Sequence, residues 1–203
     1  MSPSSDSAYP ADVRAALLAS ARAELLENGV GGLSLRAIAG RAGVSRATPK
    51  WHFGNRAGLL TALAVEGFAQ LGDALAAAVA DVADPAARFT ALGHAYLDFG
   101  LGNPELFDLM FRSAELDRDA PELVQAHRDS FAVLGDAASA TAGGAAADPA
   151  EVSLLAWAAA HGLVLLVQDR ALQSLTGLAT REELGAVAHR LADTFTALVQ
   201  GPR

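Results

Sequence analysis

Apolar side chains recur at three- and four-residue spacing along most of the 203-residue chain, and alternating polar–apolar runs bounded by turns are missing. The pattern predicts helices over 10–28, 35–42, 45–52, 55–82, 85–101, 104–113, 120–141, 149–173 and 181–200. Asp84-Pro85, Asn103-Pro104 and Asp148-Pro149 each place a capping side chain before a proline suited to the first helical position. Pro10 and Pro121 fit first turns as well, and Thr180 with Glu183 has the spacing of a capping box. Gly29 and Gly43 stand where a left-handed residue ends a helix, and residues 142–148 read as a loop. The expected fold is all-α, with a three-helix head over 1–54 and a helical body over 55–203.

Within the head, Leu33 to Leu60 has the layout of a helix-turn-helix. Ser34 can cap a short helix with Leu35, Ile38 and Ala39 on its inner side. Gly43 permits a sharp turn, Val44 fills the gap between the helices, and Ser45 is placed to cap the second helix. A second helix of this kind enters the major groove of DNA with its first residues toward base edges. Arg46, Thr48 and Lys50 are therefore the candidate base readers, since Arg and Lys donate to guanine and Thr contacts the thymine methyl. His52, Arg56 and the amides that open helix 55–82 are expected to face phosphate, with Arg36 and Ser45 adding contacts to the DNA backbone.

Charge sharpens this picture. The net charge is −8, which by itself argues against a nucleic-acid partner. Residues 1–56, however, carry seven basic against four acidic side chains, and 36–56 contain no carboxylate. The remaining 147 residues carry eight basic against nineteen acidic ones. A cationic head on an acidic body is the asymmetry expected when only the head meets phosphate.

Composition narrows the alternatives. With 52% apolar residues the chain has ample material for a core. The absence of cysteine excludes disulfides, thiol catalysis and cysteine-ligated metals. Met1 to Pro10 lack the cationic and apolar regions of an export signal, and the apolar stretch Leu154 to Val167, interrupted by His161, falls short of a membrane span. These features suggest a cytoplasmic protein without a membrane partner. No phosphate loop, nucleophile elbow or His-Glu-x-x-His motif appears, so no enzyme activity and no cofactor is expected. His94, His127 and His161 lack metal-ligand spacing, and no metal is expected either.

The Leu33–Leu60 segment resembles the DNA-binding domain of the TetR family of bacterial transcriptional regulators, with Ile38-Ala39, Gly43-Val44-Ser45, His52-Phe53 and Leu59-Leu60 in register. Trp157-Ala-Ala-Ala-His161-Gly162 is similar to the Trp–His–Gly motif of one C-terminal subclass. Lys50 departs from the family's usual aromatic and Arg56 from its usual lysine, whereas Trp51 is a compatible aromatic and joins the DNA-binding set.

The resemblance implies a ligand-released repressor that binds a near-palindromic double-stranded operator as a homodimer. The alternative is a small-molecule-binding protein with a degenerate head. It also implies that 149–173 and 181–200 form the dimer interface, where Leu154, Leu155, Ala158, Leu165, Val187, Leu191, Phe195 and Leu198 recur at helical spacing. A pocket for a mostly apolar effector is expected among the helices between 85 and 173. Phe89, Tyr96, Phe99, Phe107 and Met110 are candidate lining residues on the first two of them, and Phe111, Phe131, Trp157 and His161 follow. Tilting of helix 55–82 would couple that pocket to the head.

Overall fold

A computed structural model describes residues 10–141 and 148–200. All regular structure among them is helical: α1 Pro10–Gly32, α2 Leu35–Arg41, α3 Thr48–Phe53, α4 Arg56–Val79, α5 Pro85–Gly102, α6 Pro104–Arg112, α7 Pro121–Thr141, α8 Pro149–Gln168, α9 Ala171–Thr176 and α10 Arg181–Gln200. The all-α expectation holds. The loop expected over 142–148 lies, except for Asp148, outside the described residues.

Three local departures from the expected boundaries have physical causes. The run expected over 149–173 breaks at Asp169–Arg170, where Arg170 takes the left-handed conformation with φ 60°, and α9 follows as a separate helix. The second helix of the helix-turn-helix starts at Thr48 rather than at Ser45: Ser45 hydrogen-bonds the Thr48 hydroxyl at 2.8 Å instead of capping, and Ala47 occupies the cap position. Asn103 does not cap α6. Its amide donates to Phe99 O at 2.9 Å and closes α5 instead.

Other terminal signals appear as expected. Asp84 accepts from Ala87 N and Asp148 from Ala150 N, both at 2.9 Å. Thr180 and Glu183 exchange the two hydrogen bonds of a capping box, and donation from the Thr180 amide and hydroxyl and the Ala179 amide holds the Glu183 carboxyl below its ordinary range. Gly29 and Gly43 both have positive φ, the first kinking α1.

Two compact units form. The first takes in residues up to Gly67 together with Glu105–Val124; the second comprises Phe68–Pro104 and the chain from Gln125 onward. In the first unit, Leu17, Leu25, Ile38, Leu59, Leu60 and Leu63 are fully buried. Arg118 closes the end of α6 by donating to the Met110, Phe111 and Ser113 carbonyls. In the second unit α5, α8 and α10 pack on one another.

By length and composition α4 and α8 could each cross a membrane, which corrects the reading of Leu154–Val167 as too short. That stretch is only part of a 20-residue helix. The apolar surface of α4 lies largely in the interior through Leu59, Leu60, Leu63, Ala64, Phe68, Leu71, Leu75 and Val79. On α8 it is divided, with Val152, Ala160, Val164 and Val167 buried and Leu154, Leu155 and Leu166 exposed.

Candidate nucleic-acid interface and ligand cavity

In the first unit, Ser34 caps α2 through the Ala37 amide at 3.5 Å, and Ile38 and Ala39 are buried beneath it. The turn passes through Gly43, with φ 69°, and is tied back by Val44 N to Ala39 O at 3.0 Å. Pro49 sits in the first turn of α3, where its missing amide would have had no helical partner. Its side chain is buried and anchors the helix. Fixed in this way, α3 presents Lys50 and Trp51 to solvent beside Ser45 and Arg46 of the preceding turn. Trp51 is 91% exposed, which is exceptional for the largest apolar side chain. Thr48 and His52 are half-buried, and Arg36 is exposed on α2.

The cations of this unit fall into two groups. Arg22 pairs with Glu66 at 2.6 Å, Arg41 with Glu24 and Glu27, and Arg56 with Glu115 at 2.7 Å. Arg36, Arg46 and Lys50 make no ion pair among the described residues, and they lie on α2, the turn and α3. Arg14 stands over the Phe53 ring at 5.2 Å. The cations left without a carboxylate thus gather around the exposed edge of the helix-turn-helix.

Arg56 is engaged within the protein. Its guanidinium donates to the carbonyls of Val30 and Leu33 as well as to Glu115, whose carboxyl it holds below the usual range. It therefore clamps α1, α4 and the segment after α6 together. Among the first amides of α4, Gly58 N donates to Asn55 Oδ1 at 2.9 Å.

Gly58 went unnoticed in the sequence. A Cβ there would lie 2.0 Å from Phe53 O, so glycine alone lets α4 start against the end of α3. Glu115 was also missed. A lone carboxylate 59 residues from its partner leaves no local signal.

In the second unit a cavity of ≈ 40 Å³ lies among α4, α5, α7, α8 and α10. Of the nine expected ligand residues, Phe89, Tyr96, Phe131 and Trp157 line it. His161 stands one hydrogen bond away: Trp157 Nε1 donates to Tyr96 Oη at 3.1 Å, and Tyr96 Oη bonds His161 Nδ1 at 2.8 Å. Burial lowers the His161 pKa, so the imidazole is favoured neutral, and raises that of Tyr96, keeping its phenol protonated.

Phe99, Phe107, Met110 and Phe111 do not line this cavity. Phe107, Met110 and Phe111 belong to the first unit, where the Met110 side chain fills the space left by Gly67. The cavity takes instead Leu75, Gly93, Leu134, Phe195 and Thr196 among others. Phe195 was expected at the dimer interface but points inward. Leu154, Leu155, Ala158, Leu191 and Leu198 are exposed, whereas Leu165 and Val187 are half-buried. Among the described residues no three His, Asp or Glu side chains are arranged to hold a metal ion.

Known proteins agree with this arrangement. Residues 17–63 match the family model of bacterial regulatory proteins, tetR family, and residues 89–195 match that of the tetracyclin repressor-like C-terminal domain. Among solved structures, a protein of unknown function from Rhodococcus sp. RHA1 is 37% identical with a TM-score of 0.74, covering 91% of this chain and 93% of its own. A TetR-family transcriptional regulator from Pectobacterium atrosepticum, 21% identical, has a TM-score of 0.73 over 96% and 97% of the two chains. The transcriptional regulator FadR from Bacillus subtilis, solved with stearoyl-CoA, is 15% identical with a TM-score of 0.67 over 90% and 97%. The last two likenesses concern the fold. No curated protein matches the chain. With a helix-turn-helix in the matched head and a matched C-terminal domain across half its length, the chain belongs to the TetR family of DNA-binding transcriptional regulators.

Proposed function

We propose that the protein is a homodimeric repressor that leaves a near-palindromic operator when a small, mostly apolar molecule enters the cavity of the second unit. The observation that carries the DNA reading is the division of cations in the first unit. Arg22, Arg41 and Arg56 are neutralised within the protein, while Arg36, Arg46 and Lys50 stay exposed without a carboxylate beside the 91% exposed Trp51. Arg46 and Lys50 read or flank bases, and Arg36, Ser45, Thr48 and His52 position the protein on the sugar–phosphate backbone. Trp51 supplies the apolar surface that Lys50 lacks.

One head of this size gives little specificity, so two heads about 34–36 Å apart on a two-fold axis are required to read successive major grooves. The exposed Leu154, Leu155, Leu191 and Leu198 on α8 and α10 offer the apolar surface for that pairing. Within the second unit, α4 lines the cavity through Leu75, and the same helix begins at Arg56 in the first unit. An effector that favours one position of α4 biases the head. The fold neighbour FadR was solved in complex with stearoyl-CoA, and a small-molecule effector here is in keeping with that.

Selection of bound duplexes from a random DNA library, followed by a salt titration of the winner, tests the DNA reading. Enrichment of a near-palindrome with a steep loss of affinity as salt rises is the expected result. Enrichment of no sequence by a folded protein would defeat it.

A further inference from the structure

The cavity of the second unit has a distinctive chemistry. None of its fifteen lining residues is charged, and its polar side chains are Tyr96, Trp157 and Thr196. Tyr96 and Trp157 satisfy one another and, through the phenol, His161. Thr196 differs. It is only 8% exposed, faces the cavity, and its hydroxyl makes no hydrogen bond among the described residues. Helical threonines ordinarily turn that group back to the carbonyl four residues earlier, as Thr90, Thr176 and Thr194 do here.

Gly93 makes a second, independent observation. It lies inside α5, where glycine is less favourable than alanine, yet a Cβ there would meet nothing within 4 Å. The missing side chain leaves room in the cavity wall next to Phe89 and Tyr96. The free space of ≈ 40 Å³ holds a few waters, and the Phe131, Trp157 and Phe195 rings in its wall are half-buried.

Resting on the reading of this cavity as the effector site, we infer that the effector is an uncharged molecule lying against Gly93 and held by a hydrogen bond to Thr196 Oγ1. A carboxylate or ammonium head would lose its hydration here without a partner, because no lining side chain can pair with it. A single hydroxyl or carbonyl fits, because one unpartnered hydroxyl awaits it.

Four probes of similar shape test the inference on the full chain: toluene, benzyl alcohol, benzoate and benzylamine, followed by calorimetry and by the shift in thermal midpoint. Benzyl alcohol is expected to bind at least about tenfold more tightly than benzoate or benzylamine. Thr196→Val should weaken benzyl alcohol about tenfold and leave toluene unchanged, the toluene result showing that the variant's cavity is intact. Gly93→Leu should abolish binding of every probe while leaving helicity unaltered. Charged probes binding as well as benzyl alcohol, or indifference of benzyl alcohol to Thr196→Val, would overturn the inference and leave the cavity as the effector site. Failure of toluene and benzyl alcohol alike to bind the wild type would overturn both.

Discussion

Arg46 and Arg56 share a charge and a neighbourhood in sequence but not a role. Arg46 is exposed and unpaired on the turn before α3, whereas Arg56 caps two carbonyls and pairs with Glu115. Arg46→Ala should therefore weaken operator binding by about 1–3 kcal/mol and relax sequence preference, with no change in thermal stability. Arg56→Gln should do the reverse first, lowering stability by about 1–2 kcal/mol through the lost carbonyl bonds. Thermal melts and operator titrations on the two variants separate these outcomes.

His161 gives a test of a different kind. Burial lowers its pKa in the folded protein below the ordinary 6.5, so below that pH the unfolded chain binds a proton that the folded protein resists. Its contribution to stability is complete above about pH 6.5 and is lost as the pH falls toward the folded value. Wild type minus His161→Gln, compared by denaturant melts from pH 7.5 to 5, should lose stability toward the acid side. A flat difference would contradict the neutral, half-buried imidazole.

At the level of elements, close approaches and breaks matter more than propensity. Gly58→Ala would push a Cβ into Phe53 O at 2.0 Å, a backbone atom that cannot swing away. It should cost more than about 2 kcal/mol and impair DNA binding, because the end of α3 must move. Arg170 is a non-glycine residue at φ 60°, so Arg170→Gly should relieve strain and raise stability by up to about 1 kcal/mol, as a denaturant melt would register.

The helices themselves were legible because their starts and periodicity are local: Asp84, Asp148 and the Thr180–Glu183 box cap where the sequence places them. The misread ends are places where a polar side chain takes a different partner, as Ser45 takes the Thr48 hydroxyl and Asn103 the Phe99 carbonyl, or where the backbone itself turns, as at Arg170. Sequence alone does not say which occurs.

For the molecule as a whole, the apolar face of α8 and α10 is the feature with the largest consequence. Leu154→Glu combined with Leu198→Glu should yield a monomer in sedimentation, because a charge is placed at two of the most exposed leucines. Operator affinity should collapse in the same variant, while toluene binding in the cavity survives.

The sequence by itself determined the all-helical class, the helix-turn-helix with its cationic window, and the family to which it belongs. Each rests on spacing within a few dozen residues, where the chain's own geometry sets what can meet. Tertiary structure alone decided which cations are free, because Glu66 and Glu115 reach Arg22 and Arg56 from 44 and 59 residues away. It likewise decided which aromatics line the cavity. A helix's periodicity reveals its apolar face but not which neighbour that face meets, so Phe107 lies in the core of the first unit, Phe195 lines the cavity, and Gly93 and Thr196 join it there.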